Sequence, residues 1–165
     1  MAQSYAILGY AGRLAGLMPT EPLKAAQVES VLYHLMDLDV LLAPSGKEQD
    51  AAKKKQLRQD LAAGPLTSWF GHLERMLANS SGYIACGELT VADLACFCRM
   101  QSFKGAHHLR LKGFPHSQSD APSMTGAKYD DIPADIVSKY PNVTAHYDRI
   151  MAHPKVAEWY TTHAL

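Results

Sequence analysis

Cysteine, basic excess and long apolar runs are all scarce in this chain of 165 residues. Three cysteines are too few, and odd in number, for a disulfide framework, so the chain reads as a protein of a reducing compartment, the cytoplasm. Lys and Arg number 16 and Asp and Glu 16, a formal charge of zero that argues against a nucleic-acid or anionic-membrane partner. No apolar run approaches the ~18 residues of a membrane span. The opening MAQSYAILGYAGRL lacks the basic and apolar regions of a secretory signal. Alternating β-branched runs are missing too, which leaves little material for strands.

What remains is helical punctuation. Ile7, Leu8, Ala11, Leu14 and Ala15 recur at helical spacing behind Ser4, a capping candidate, and ahead of Gly16, a left-handed stop. Gly9 and Gly12 weaken that helix by up to ~1 kcal/mol each, so something must pack closely on it. Thr20 and Pro22 open a second helix, and Val28, Val31, Leu32, Leu35, Leu38 and Leu42 form its stripe. Asp37 falls about 200° from Leu35, and Pro44-Ser45-Gly46 is expected to end the helix near Ala43. A polar third helix spans about 47–63; its Lys53-Lys54-Lys55 run reads as a solvated face rather than a phosphate patch. Gly64-Pro65 breaks the chain before a fourth helix with Trp69, Phe70, Leu73, Met76 and Leu77. In LTVADLACFC, Thr90 and Asp93 have capping-box spacing: the hydroxyl should accept from the amide three residues on, and the carboxylate should reach back to the Thr90 N–H. The helix behind them is apolar nearly all round and should be central. Residues at about 105–130 are rich in His, Ser, Gly and Pro and read as a long loop. Pro141 and Pro154 then open two C-terminal helices.

No chemistry-bearing motif stands out. Cys96 and Cys98 point about 200° apart on a helix and cannot grip one metal together. His107, His108 and His116 have no Cys or carboxylate at ligand spacing, so no metal site is expected. No nucleophile elbow, phosphate loop or dinucleotide fingerprint is present. The residues by themselves give an all-α bundle with one strong capping box and no catalytic set.

Three segments together resemble the cytosolic glutathione S-transferases. QSYAILGYAGRLAGL at 3–17 looks like the last helix of that family's thioredoxin-like domain and its linker; LTVADLACFC at 89–98 looks like its capping-box helix; YPNVTAHYDRIMAHPKVAEWY at 140–160 looks like its C-terminal helices. Residues 23–43 then read as the family's long interface helix. The resemblance divides the chain into 1–16, the end of a thioredoxin-like domain plus linker, and 17–165, the helical domain carrying the long loop. It implies an all-α, glutathione-transferase C-terminal-like fold and a homodimer.

The implied activity of the complete protein is conjugation of glutathione thiolate to electrophiles, as in detoxification. The helical part would give the electrophile pocket and the dimer surface. The thiol-activating Tyr, Ser or Cys belongs to the thioredoxin-like domain, so no catalytic residue is expected in this sequence, and the chain alone should be weak or inactive. Glutathione is a co-substrate, and no cofactor is implied. Gln3 and Ser4 match the pair that binds the γ-glutamyl end of glutathione, and Asp37 matches an acidic residue that reaches the neighbouring subunit's glutathione amine. For Ser4 a plain helix cap, and for Asp37 a solvated carboxylate, are the alternatives. Thr90 and Asp93 match the family's structural cap. Gly9 departs from the pattern, standing where many relatives have Arg. The same domain also serves as a non-catalytic docking module in elongation factor subunits and aminoacyl-tRNA synthetases, which is the alternative function.

Overall fold

A computed structural model of the chain describes residues 3–104 and 129–163. Every regular element in them is helical: α1 (Ser4–Leu14), α2 (Pro22–Lys47), α3 (Ala51–Ala63), α4 (Pro65–Ala78), α5 (Val91–Lys104), a 3-10 turn (Ile136–Lys139), α6 (Pro141–Met151) and α7 (Pro154–His163). Most of the long loop expected at 105–130 lies outside the described residues. Tyr129, at its end, is buried, with its ring centroid 4.9 Å from that of Phe103.

The α2 stripe is the main wall of the core. Val28, Val31, Leu32, Leu35, Leu38 and Leu42 are all buried, each contributing about 1.5–3 kcal/mol of apolar burial. The helix begins differently from expectation. Glu21, not Thr20, is its cap, and its carboxylate accepts from the Leu23 and Lys24 amides at 2.8 and 3.0 Å. It also ends later, running through Pro44 to Lys47. The amide that Pro44 lacks would have met the carbonyl of Val40, a residue on the exposed side where water can take its place. Ser45 is fully buried and returns its hydroxyl to the Leu42 carbonyl at 3.0 Å, which ties down the last turn.

Asp50 caps α3 through the Lys53 amide at 2.8 Å, and Lys53 pairs with Glu48 at 2.8 Å, so the lysine run is a solvated face. Arg58 on the same helix is buried, against its polar surroundings in the sequence. α4 turns Leu66, Trp69, Phe70, Leu73 and Leu77 inward, and the Trp69 indole N–H donates to the His34 carbonyl of α2 at 2.9 Å. α5 is the central helix, packed on α1, α2, α6 and the 3-10 turn. Ala92, Cys96, Phe97, Met100 and Phe103 are at most 2% exposed.

α1 shows what offsets its glycines. A Cβ on Gly12 would stand 2.9 Å from Val91 of α5, closer than carbon atoms approach, so only glycine allows α1 to lie against α5 here. The helix closes as expected at Gly16 (φ 69°): the Gly16 amide donates to the Arg13 carbonyl and the Leu17 amide to the Gly12 carbonyl. Ser4 is not a side-chain cap. It is the first helical residue, and Gln3 precedes it without a capping side-chain hydrogen bond. No helix among the described residues is long and apolar enough to cross a membrane.

Candidate functional site

Two polar centres lie on α5, and the sequence pointed to one. Asp93 is fully buried and its carboxylate is saturated. Oδ2 accepts from the Thr90 amide at 2.8 Å and from the Thr90 hydroxyl at 2.9 Å. Oδ1 accepts from the Ile84 amide at 2.8 Å and lies 2.9 Å from Nε2 of His146. The Thr90 hydroxyl therefore donates to the carboxylate instead of accepting from the Asp93 amide, which bonds the Thr90 carbonyl at 3.2 Å. The capping box thus also anchors the non-helical Ile84 segment and α6. His146 went unnoticed in the sequence, although Val143, His146, Tyr147 and Ile150 share one inward stripe, all buried. A histidine in an apolar stripe was the available signal. Its Nδ1 is buried and has no hydrogen-bond partner among the described residues. With water excluded from both residues, this centre is structural.

The second centre faces a cleft. Gln3 holds φ 69° and ψ 114°, a conformation that costs a non-glycine residue about 1–3 kcal/mol and is kept only where the surroundings impose it. It presents the uncapped start of α1, whose first-turn amides have no intrahelical acceptor. Gln3 lines a cleft of about 460 Å³ between α1 and α2, with Arg13, Glu29, Tyr33 and Met36. Ser4 lines the neighbouring cleft of about 530 Å³ between α1 and α5, with Tyr5, Leu8, Ala95, Cys98 and Arg99. Adjacent residues thus open onto separate clefts. Asp37 lines neither; it is exposed on α2, one residue beyond Met36.

Arg99 organises the larger cleft. Its Nη2 donates to the Tyr5 hydroxyl at 2.8 Å and pairs with Asp39 at 2.5 Å. Burial pulls the Arg99 guanidinium pKa down, and the contacts with Tyr5 and Asp39 more than restore it, so it stands above the ordinary value. Burial pushes the Tyr5 hydroxyl up, opposed by Arg99. Neither Arg99 nor Asp39 was singled out from the sequence; the one signal was a lone cation in the apolar run ADLACFCRM. Cys96 is buried, which drives its thiol pKa far up, while Cys98 is exposed in the cleft, so the two do diverge. Arg13 supplies an ion pair in the region of Gly9: it meets Glu29 of α2 at 2.8 Å and returns a hydrogen bond to the Gly9 carbonyl at 3.2 Å. Among the described residues, no three His, Cys, Asp or Glu side chains gather as metal ligands; His107, His108 and His116 lie outside them.

The sequence model described as "Glutathione S-transferase, C-terminal domain" matches residues 36–120 and 121–163. The chain is 29% identical over 136 residues to Glutathione S-transferase 1 of Ascaris suum, covering 75% of this chain and 65% of that protein. It is 28% identical over 92 residues to Glutathione S-transferase 2 of Manduca sexta, covering 56% of this chain and 45% of that one. Its length thus reaches less than two thirds of these curated relatives. Prostaglandin synthase D of Nilaparvata lugens superposes with a TM-score of 0.77 at 21% identity, over 100% of this chain and 70% of that one. The glutathione S-transferase from Ascaris lumbricoides gives 0.74 at 23% identity, with the same two coverages. At such identities these structures speak for the fold.

Proposed function

The chain belongs to the glutathione S-transferase C-terminal domain family, and from that premise we propose that it is the helical half of an enzyme that conjugates glutathione to electrophiles. The observation that carries the proposal is the start of α1. Gln3, at positive φ, opens onto the α1/α2 cleft, and Ser4, the first residue of a helix without a side-chain cap, opens onto the apolar α1/α5 cleft, which supports reading the helix start as a polar edge for an anion beside an apolar chamber. In this reading the Gln3 side chain, the Ser4 hydroxyl and the first α1 amides hold the γ-glutamyl carboxylate of glutathione. The α1/α5 cleft forms part of the electrophile pocket. Asp37, exposed on α2, reaches the glutathione amine of a second subunit.

The thiolate attacks an electrophilic carbon, forming the C–S bond as the leaving group departs with its electron pair, or adding across an activated double bond that then takes a proton. Thiol activation comes from the thioredoxin-like half, and glutathione is the co-substrate. The setting is the cytoplasm. The test is conjugation of 1-chloro-2,4-dinitrobenzene, followed by absorbance. The 165-residue chain alone should turn over at or near the uncatalysed rate. Joined behind the thioredoxin-like half of a relative, it should turn over, and Ser4→Ala should raise KM for glutathione in that hybrid. Robust turnover by the chain alone, or a folded hybrid that binds no glutathione, would overturn this division of labour.

A homodimer is part of the same proposal. Ile7, Tyr10, Tyr33, Met36 and Val40 are exposed large apolar side chains on α1 and α2, and such a surface is usually covered by a partner. The docking-module alternative uses this surface too. Light scattering separates the two: a defined dimer supports the enzyme assembly, and a clean monomer at high concentration removes it.

A further inference from the structure

The α1/α5 cleft is apolar along its walls and cationic at one end. Leu8, Ala11, Leu94 and Ala95 line the walls; Arg99 stands at the end with Tyr5 and Ser102. A guanidinium has five N–H donors in a planar fork. Nη2 serves Tyr5 and Asp39, and Arg99 also acts on the Tyr129 hydroxyl, whose pKa it lowers against the effect of burial. The Asp39 side chain is 48% exposed and that of Arg99 23%, so water screens the counter-ion more than the cation. Beyond Tyr129 lies a second cation. Arg58 is 6% exposed, its guanidinium is 5.8 Å from the Tyr129 ring centroid, and it donates to the Asp130 carbonyl at 2.9 Å. Among the described residues it forms no ion pair, and its Nε is buried without a partner.

We propose that the α1/α5 cleft takes a second substrate with an apolar body and a carboxylate, and that Arg99 is the specificity-determining residue, exchanging Asp39 for that carboxylate. The planar fork suits a carboxylate, which it can meet through two parallel bonds. One accessible guanidinium suits a monoanion; a phosphate dianion would need a second accessible cation, and Arg58 is buried. Calling the ligand a second substrate rests on the conjugation reading above. Its binding is measured without glutathione, so the two fail separately.

The experiment is calorimetric titration of the 165-residue chain with 6-phenylhexanoate and with 6-phenylhexan-1-ol, at pH 7.5 and low salt. The acid is expected to bind about tenfold tighter than the alcohol, the size of one charge-assisted hydrogen bond. Arg99→Gln should abolish that preference while leaving alcohol binding in place, which also reports that the variant is folded. Asp39→Asn keeps the guanidinium and removes its competitor, so it should tighten binding of the acid alone; a merely structural Arg99–Asp39 pair would not give that sign. Cys98→Trp, which fills the cleft from an exposed position, should weaken both ligands. Equal affinity for acid and alcohol, no binding of either, a preference that survives in Arg99→Gln, weaker acid binding in Asp39→Asn, or indifference to Cys98→Trp would each overturn the proposal.

Discussion

Asp93 and Arg99 sit six residues apart on α5, and their surroundings give them opposite uses. Asp93 is fully buried, and protein groups fill every direction around its carboxylate: two Thr90 groups, the Ile84 amide and His146. Arg99 is half-buried on the edge facing α1, and its partner Asp39 is half in water. A saturated charge in a dry site can only hold the fold, because any exchange of partners strands a buried group. A charge at a wet edge can change partners at little cost. The comparison teaches that saturation and access, more than charge itself, separate a structural centre from one that can take a ligand.

Removing Asp93 should give the largest effect. Asp93→Ala leaves the Thr90 and Ile84 amides and His146 Nε2 buried without their acceptor, and a loss of about 3 kcal/mol or more is expected in urea unfolding. A shift under about 0.5 kcal/mol would erase the contrast with Arg99. Gly12→Val comes next. Its side chain meets Val91 of α5 at 2.9 Å, and overpacking there should cost about 1–3 kcal/mol by the same measurement, with the α1/α5 cleft distorted as well. An unchanged midpoint would mean that α1 does not hold this close approach.

A smaller, pH-dependent effect is expected at His34, which lies between the two extremes. Burial, then the neighbouring His72, holds its imidazole pKa below the ordinary histidine value. The folded chain binds fewer protons here than the unfolded chain, so stability should fall as pH drops from about 7.5 through 6.5. His34→Gln should flatten part of that slope, and an identical slope would remove the assignment. Arg99→Gln should be the smallest, under about 1 kcal/mol, since Tyr5 and Asp39 remain partly hydrated. A loss as large as that of Asp93→Ala would make Arg99 a second structural centre.

Much of the scaffold could be read along the chain because its signals are local. The α2 stripe, the turn at Gly16, the break at Gly64-Pro65 and the openings at Pro141 and Pro154 each depend on neighbours within one or two turns. The errors had local causes as well. Glu21 won the α2 cap over Thr20 because its longer side chain folds back onto two amides. Pro44 failed to end α2 because its missing hydrogen bond falls on the solvent side. The candidate site was less legible. Gln3 and Ser4 entered through family likeness, and periodicity does not reveal that a chain will hold Gln3 at positive φ.

By itself the sequence determined an all-helical bundle, its central helix and the residue pair that starts that helix, since hydrophobic period and capping are properties of adjacent turns. Only the tertiary structure decided that Asp93 would receive His146 from 53 positions away, and that Arg99 would gather Tyr5 and Asp39 from 94 and 60 positions away. Those separations exceed any local pattern. Such groups meet only when packing of the apolar stripes brings their helices together, and burial then fixes which charges are locked and which stay open.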